Sequence, residues 1–259
     1  MKKKYQFNFK KKNIFITGSN GFLGLKISNA FYNLGANLIL TDIHENSIMK
    51  DKDKNIFYKK CDLRRPNDVK DFTKFISKKY KKLDAVINNA SYTGDSQLKG
   101  WNATFKNQNT VNWLDVFQIS LNSNFEFSNS FYNALKKSKD GSIVNISSIY
   151  GFMAPDWNIY SDTNVHNPAG YGVSKSGLIY LTKWLASSMA PAVRVNSISP
   201  GGINRKQPIA FKKKYISKVP LARMCEEDDI IGAVLFLSSP LSKYITGQNI
   251  VIDGGYSII

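Results

Sequence analysis

"TGSNGFLG", residues 17–24, is the stretch on which the reading of the fold turns. A β-branched run, "NIFIT" (13–17), precedes it, and an amphipathic segment opens immediately after it. Gly18, Gly21 and Gly24 give G-x-x-G-x-x-G. Glycines at such spacing allow a tight turn and let backbone N–H groups approach a pyrophosphate at a helix N-terminus. The same pattern also serves as a plain strand-to-helix turn, so the rest of the chain has to decide.

Working outward, short apolar runs alternate with helical patterns. The strands expected are 13–17, 37–42, 55–62, 83–90, 141–148, 193–200 and 249–255, with helices over 22–34, 66–80, 110–137, 171–188 and 226–238. Parallel strands need long crossovers, so strands separated by helices predict a parallel sheet covered on both faces. The fold class expected is α/β, a doubly wound Rossmann-type sheet of about seven strands. No linker or repeat interrupts it, so residues 1–259 read as one domain behind a basic, solvated tail at 1–11.

Asp42 closes the second strand, 24 residues beyond Gly18, where its carboxylate can accept from adenosine ribose hydroxyls and would repel a 2′-phosphate. Neither Ser19, Asn20, Ile43 nor His44 offsets that charge, so NAD is expected rather than NADP. Asp62 ends the third strand, within reach of an adenine amine. The asparagines of "NNAS" (88–91) end the fourth and could brace the loops around a cofactor.

"GSIVNISS" ends in Ser147 and Ser148, and "YGVSK" places Tyr171 and Lys175 four apart on one helical face. A lysine ammonium near a phenol favours the phenolate, which makes Tyr171 a general acid/base for an alcohol or carbonyl oxygen. A serine hydroxyl opposite would hold that oxygen.

With these motifs in place the chain resembles the short-chain dehydrogenase/reductase family from residue 12 to 257, through "TGSNGFLG", "CDL", "NNAS", "GSIVNISS", "YGVSK", "VRVNSISPGGI" and "ITGQNIVIDGGY". The resemblance implies Ser148 as the substrate-orienting serine, Tyr171 as acid/base, and Lys175 as ribose anchor and modulator of the tyrosine. It implies cofactor contacts from Gly18, Ser19, Asn20, Gly21, Phe22, Leu23, Gly24, Asp42, Asp62, Leu63, Asn89, Ala90, Pro200, Gly201 and Ile203. "SSIYGFMAPDWNIY" and "NPAGYGVSKSGLIYLTKWLA" further resemble a flagellin-modification branch tied to surface polysaccharide and nonulosonate-type sugars.

Four departures from the family pattern stand out. The glycine spacing is nearer the longer, sugar-nucleotide-modifying branch, which keeps an NAD-retaining epimerase or dehydratase open, beside a non-catalytic dinucleotide-binding protein. Ser120 occupies the position of a proton-relaying asparagine, and Asn122 lies roughly 200° around the helix from it. Ser148 and Tyr171 are 23 positions apart, longer than the family habit, which makes 154–169 an inserted substrate-side loop carrying Asp156, Trp157, Tyr160, Asp162 and His166. Asn204 and Arg205 stand where a threonine is often found, opening a basic lid over 203–222. Trp157, Tyr160 and Gly202 are expected to face a polar, sugar-like substrate.

The formal net charge of +17 raises nucleic acid as a partner, but the lysines are scattered over Lys2 to Lys4, Lys10 to Lys12, Lys78 to Lys82, Lys136 to Lys139 and Lys212 to Lys214. They read as solvated faces, and no nucleic-acid partner is expected. No apolar run spans a bilayer, and the basic start lacks an apolar stretch long enough for a signal peptide. Cys61 and Cys225 form no C-x-x-C pair and read as reduced thiols. A cytoplasmic enzyme without a metal is expected, and the family resemblance implies self-association as a homodimer or homotetramer through 110–137, 171–188 and the C-terminal segment.

Overall fold

The computed structural model describes residues 6–45, 54–92 and 98–259. Seven strands make one parallel sheet in the order β3-β2-β1-β4-β5-β6-β7. They are β1 (Asn13–Thr17), β2 (Asn37–Thr41), β3 (Ile56–Tyr58), β4 (Ala85–Asn88), β5 (Gly141–Ile146), β6 (Val193–Pro200) and β7 (Asn249–Ile252). The helices are α1 (Phe22–Asn33), α2 (Pro66–Lys79), α3 (Thr110–Phe117), α4 (Ser123–Lys136), α5 (Ala169–Met189), α6 (Ile209–Ile216) and α7 (Glu227–Leu237).

The period-two alternation of β1 assigns its side chains to two cores. Ile14 and Ile16 pack with Leu23, Ile27 and Phe31 of α1 and Ile230 and Val234 of α7. Phe15 points the other way, into Phe72 of α2 and Phe127 and Phe131 of α4, with ring centroids 5.1–5.7 Å away. Such edge and tilted pairs each add about 0.5–1.5 kcal/mol beyond the area they bury. Both faces of the sheet are therefore covered, as the continuous apolar strands require.

Strand order reverses between β1 and β4, and the chain leaves every strand toward the same edge. Thr17 pairs with Thr41, Asn88 with Asn145, and Ile146 with Ile198. This register brings Gly18, Asp42, Asn89, Ser148 and Gly201 to one rim. Ligands of open α/β sheets bind there.

The structure corrects several sequence expectations. The helix expected over 110–137 is continuous but carries a π segment at Gln118–Asn122, between α3 and α4. Strands β3, β4, β5 and β7 are shorter than expected, since their last residues already belong to the rim loops. The lid at 203–222 contains a helix, α6, that lay outside the expected helical segments. The tail is not wholly solvated: residues 1–5 lie outside the described residues, but Phe9 is buried with its ring 4.8 Å from Phe31. Its backbone N–H donates to Leu34 O at 3.3 Å.

Among the described residues no helix is long and apolar enough to cross a membrane. Cys61 and Cys225 are free, and burial pushes their thiols up to about 12 and about 11, which leaves both unreactive at neutral pH.

Candidate active site

A cavity of about 710 Å³ opens along the rim, lined by the glycine loop, Asp42, Asp62, Asn89, Ser148, Tyr171 and Lys175. Gly18 has φ +64°, a left-handed value that favours glycine. A Cβ on Gly24 would come within 2.0 Å of the Gly18 carbonyl oxygen. The loop can therefore close only with glycine at positions 18 and 24. Asn89 braces it, donating through Nδ2 to the carbonyls of Thr17 (3.0 Å) and Gly18 (3.1 Å). Thr17 Oγ1 in turn accepts the N–H groups of Asn89 and Ala90.

Asp42 follows β2 directly, and its carboxylate accepts from the backbone N–H of Asn20 (3.0 Å) and of Ile43 (2.8 Å). It ties the glycine loop to the second rim loop while remaining part of the cavity wall. Asp62 is buried and gripped by Arg64, Nε to Oδ1 at 2.9 Å and Nη2 to Oδ2 at 2.7 Å. The Arg64 hydrogen bonds hold its carboxyl below the usual carboxylate range, against the opposing effect of burial. Leu63 and Ala90 line the wall beside it.

One residue expected in the cofactor loop turns away, while Phe22 lines the cavity and also meets Arg205. Ser19 turns from the cavity, giving both its N–H and its hydroxyl to Thr41 O. Phe22 is 61% exposed, and the Arg205 guanidinium lies 4.4 Å from its ring centroid while pairing with Glu227. Arg205 is thus a cavity-lining cation. The sequence signal for it was its place in the post-Pro200 loop. Pro200, Gly201 and Ile203 line the far wall. Gly202 does too, but its N–H is taken by the Tyr215 hydroxyl at 2.6 Å.

The catalytic candidates are held by β5 and α5. Ser148 Oγ accepts the N–H of Tyr150 at 3.2 Å, and Ser148 and Tyr171 line the same cavity. Ser147 Oγ donates to the Lys175 carbonyl at 2.9 Å, and Lys175 Nζ donates to Ile146 O at 2.8 Å. A buried chain of Asn88, Asn145 and Thr182 links β4, β5 and α5 through contacts of 2.8 and 2.9 Å. These groups lock the register of α5 against the sheet, and neither Asn145 nor Thr182 stood out in the sequence.

The electrostatics differ from the sequence expectation. Burial raises the Tyr171 phenol above its ordinary value, partly offset by the Ser148 hydrogen bond. Burial brings the Lys175 amine, 2% exposed, down to about 7. Its Nζ lies 5.6 Å from the Tyr171 ring centroid. Desolvation outweighs the effect expected of the lysine, and Tyr171 is raised rather than lowered.

Ser120 lies in the π turn, fully buried, its Oγ without a hydrogen-bond partner, while its carbonyl accepts from Asn124 Nδ2 at 2.8 Å. Asn122 is exposed and donates to Gln118, as its place around the helix required. Ser120 does not line the cavity, although its neighbour Ile119 does. The insertion divides its aromatics: Tyr160 is buried at the cavity, whereas Trp157 is 60% exposed and outside the lining. Trp157 is therefore no substrate-facing residue in this structure; its ring packs 5.7 Å from Tyr160. His166 lines the cavity, its N–H donating to Asn102 Oδ1 at 2.7 Å.

The residues present fit a nicotinamide dinucleotide: a glycine cradle closed to any Cβ, a carboxylate at the end of β2, and a hydroxyl, phenol and amine set farther along the rim. A family model described as enoyl-(acyl carrier protein) reductase matches residues 19–257. Post-translational flagellin modification protein A of Campylobacter coli is 30% identical over 95% of this chain and 98% of its own length. The 3-oxoacyl-(acyl-carrier-protein) reductase FabG of Buchnera aphidicola subsp. Schizaphis graminum is 32% identical over 95% and 97%. The crystal structure of a short-chain dehydrogenase from Leptospira borgpetersenii with bound NAD+ superposes with a TM-score of 0.86 at 33% identity, covering 96% of this chain and 94% of that one. With the Ser148, Tyr171 and Lys175 arrangement at the rim of a seven-stranded parallel sheet, these likenesses establish that the chain belongs to the short-chain dehydrogenase/reductase family of oxidoreductases.

Proposed function

We propose that this protein is an NAD-dependent oxidoreductase that interconverts a hydroxyl and a keto group on a polar, sugar-type substrate. The observation that carries the chemistry is that Ser148, Tyr171 and the buried Lys175 line one cavity at the rim, with Lys175 Nζ 5.6 Å from the Tyr171 ring centroid. Bound nicotinamide would supply or take the hydride. Ser148 holds the substrate oxygen by its hydroxyl. In the reducing direction Tyr171 gives its proton to that oxygen as the carbonyl carbon gains the hydride. In the oxidising direction the tyrosine oxygen takes the proton as the C–H bond is lost.

Glycine-loop residues Gly18, Asn20, Gly21, Leu23 and Gly24, with Asp42, Asp62, Asn89, Pro200, Gly201 and Ile203, would hold the dinucleotide, and the Asp42 charge favours NAD over NADP. The sugar-type substrate is supported by the flagellin-modification relative and by the amides, hydroxyls and cations of the wall, Asn102, Asn167, Gln207, Arg205 and Lys206 among them. The FabG relatives favour a second reading, reduction of a 3-oxoacyl thioester. A screen of sugar nucleotides, phosphosugars and a 3-oxoacyl thioester with NAD(H) and NADP(H) separates the two. In that screen Tyr171→Phe should lower kcat by about 10²–10⁴-fold while leaving NADH binding intact. Undiminished turnover in Tyr171→Phe would refute the mechanism.

Self-association belongs to the same proposal. Phe125 of α4 and Tyr180 and Trp184 of α5 are exposed side by side, Phe125 and Trp184 with ring centroids 6.5 Å apart. An apolar face of this kind on two adjacent helices suits a second copy of the chain.

A further inference from the structure

The cavity holds a pair of phenols that hydride transfer does not use. Tyr150 stands two residues after Ser148, and Tyr160 comes from the insertion; both line the cavity. Their oxygens are 2.7 Å apart. Asn167 Nδ2 donates to the Tyr160 oxygen at 3.1 Å. Gln108 fixes the strand of chain behind it, donating to the Asn167 carbonyl (3.4 Å) and accepting from the Ala169 N–H (2.9 Å). Ile149, Ile159, Phe211 and Tyr215 pack around the pair as a small core of their own.

Counting protons gives the pair a chemical identity. Each phenol carries one proton, and the bond between the two oxygens uses one of them. Asn167 can only donate through its Nδ2, so it takes neither. One phenolic O–H is therefore left without an acceptor among the described residues. Burial raises both phenols, Tyr150 the more strongly, so the pair stays neutral and keeps that proton. Tyr150 and Tyr160 line the same cavity as Ser148 and Tyr171, Tyr150 two residues after Ser148 and Asn167 four before Tyr171. The spare donor thus shares the cavity with the reacting oxygen.

We propose that Tyr150 and Tyr160, oriented by Asn167, form a specificity-determining donor for a second substrate oxygen on a carbon near the one that Tyr171 and Ser148 act on. The protein then selects vicinal diols and α-hydroxy ketones over simple alcohols and ketones. This rests on the oxidoreductase reading and narrows its substrate class. The alternative is that the two phenols only stiffen the insertion, in which case no probe would distinguish them.

The test is a titration of trans-1,2-cyclohexanediol and of cyclohexanol into the NADH-loaded protein, where neither alcohol can react, read by NADH fluorescence. The wild type should bind the diol about tenfold more tightly than cyclohexanol. In the Tyr150→Phe/Tyr160→Phe double variant the ratio should fall to about one with cyclohexanol affinity unchanged. Each single variant keeps one phenolic O–H and should keep an intermediate ratio. Asn167→Leu, which retains both phenols but not their orientation, should also lose the preference; it decides the matter if the double variant does not fold. A wild-type ratio near one, no binding of either probe at its highest soluble concentration, or a ratio unchanged in the variants overturns the proposal. Turnover that survives Tyr171→Phe overturns the oxidoreductase mechanism instead, whatever the ratio.

Discussion

Replacing Lys175 by methionine should stabilise the protein while abolishing its chemistry, and the stabilisation should depend on pH in a set direction. Burial brings the amine from 10.5 to about 7, with a hydrogen bond to the Ile146 carbonyl and, among the described residues, no carboxylate against it. At about 1.4 kcal/mol for each tenfold change in acidity, keeping the ammonium charged in the fold costs about 5 kcal/mol. Methionine fills a similar volume without a charge but leaves the Ile146 carbonyl without this donor, a loss of about 1–3 kcal/mol. The net expectation is a gain of about 2–4 kcal/mol below pH 7.

The pH dependence follows from proton counting. Between about pH 7 and 10.5 the unfolded lysine holds a proton that the folded one has released. Wild-type stability then rises with pH over that window, by about 1.4 kcal/mol per unit, and the methionine variant lacks this slope. Its advantage is therefore largest below pH 7 and disappears as pH approaches 10. Urea unfolding of both proteins at pH 6, 7.5 and 9, at one protein concentration, reads the difference directly. A constant difference across that range, or a methionine variant less stable at pH 6, would refute the picture of Lys175 as a strained, buried amine.

Two further outcomes test the cofactor and assembly readings. Asp42→Ser removes the carboxylate that repels a 2′-phosphate, so the ratio of NAD to NADP affinity, measured by fluorescence titration of the reduced forms, should fall by about tenfold; an unchanged ratio places the selectivity elsewhere. Trp184→Asp puts a charge into the exposed aromatic face of α4 and α5 and should shift the sedimenting species from an oligomer toward a monomer at micromolar concentration. A wild-type protein that sediments as a monomer ends the assembly proposal.

The glycine loop shows how far local chemistry reaches. Gly18, Gly21 and Gly24 between an apolar run and an amphipathic one were enough to read a strand, a turn and a helix in order, because φ preference and periodicity are properties of neighbouring residues. Asp42 and Ser148 were legible for the same reason: each ends a strand, and parallel strands in a doubly wound sheet end at one rim. The π segment within the helix over 110–137 was not legible, since nothing in "QISLN" differs from ordinary helical sequence. Ser120 could thus be placed in register with the relay position but not turned toward or away from the cavity.

What the sequence by itself determined is the order of elements, the sheet they form and the presence of Ser148, Tyr171 and Lys175 at one rim. The spacing of four between Tyr171 and Lys175 and the strand before Ser148 are local facts. What only the tertiary structure decided depends on how segments far apart in the chain desolvate one another. The sheet and α5 bury Lys175 until its amine sits near 7, and the same desolvation raises Tyr171 where a lysine beside it was expected to lower it. The insertion could have turned either aromatic inward, and packing against Phe211 and the Tyr150 hydroxyl selected Tyr160 and left Trp157 in solvent. Burial and hydrogen-bond partners belong to the folded neighbourhood, and no run of residues read alone contains them.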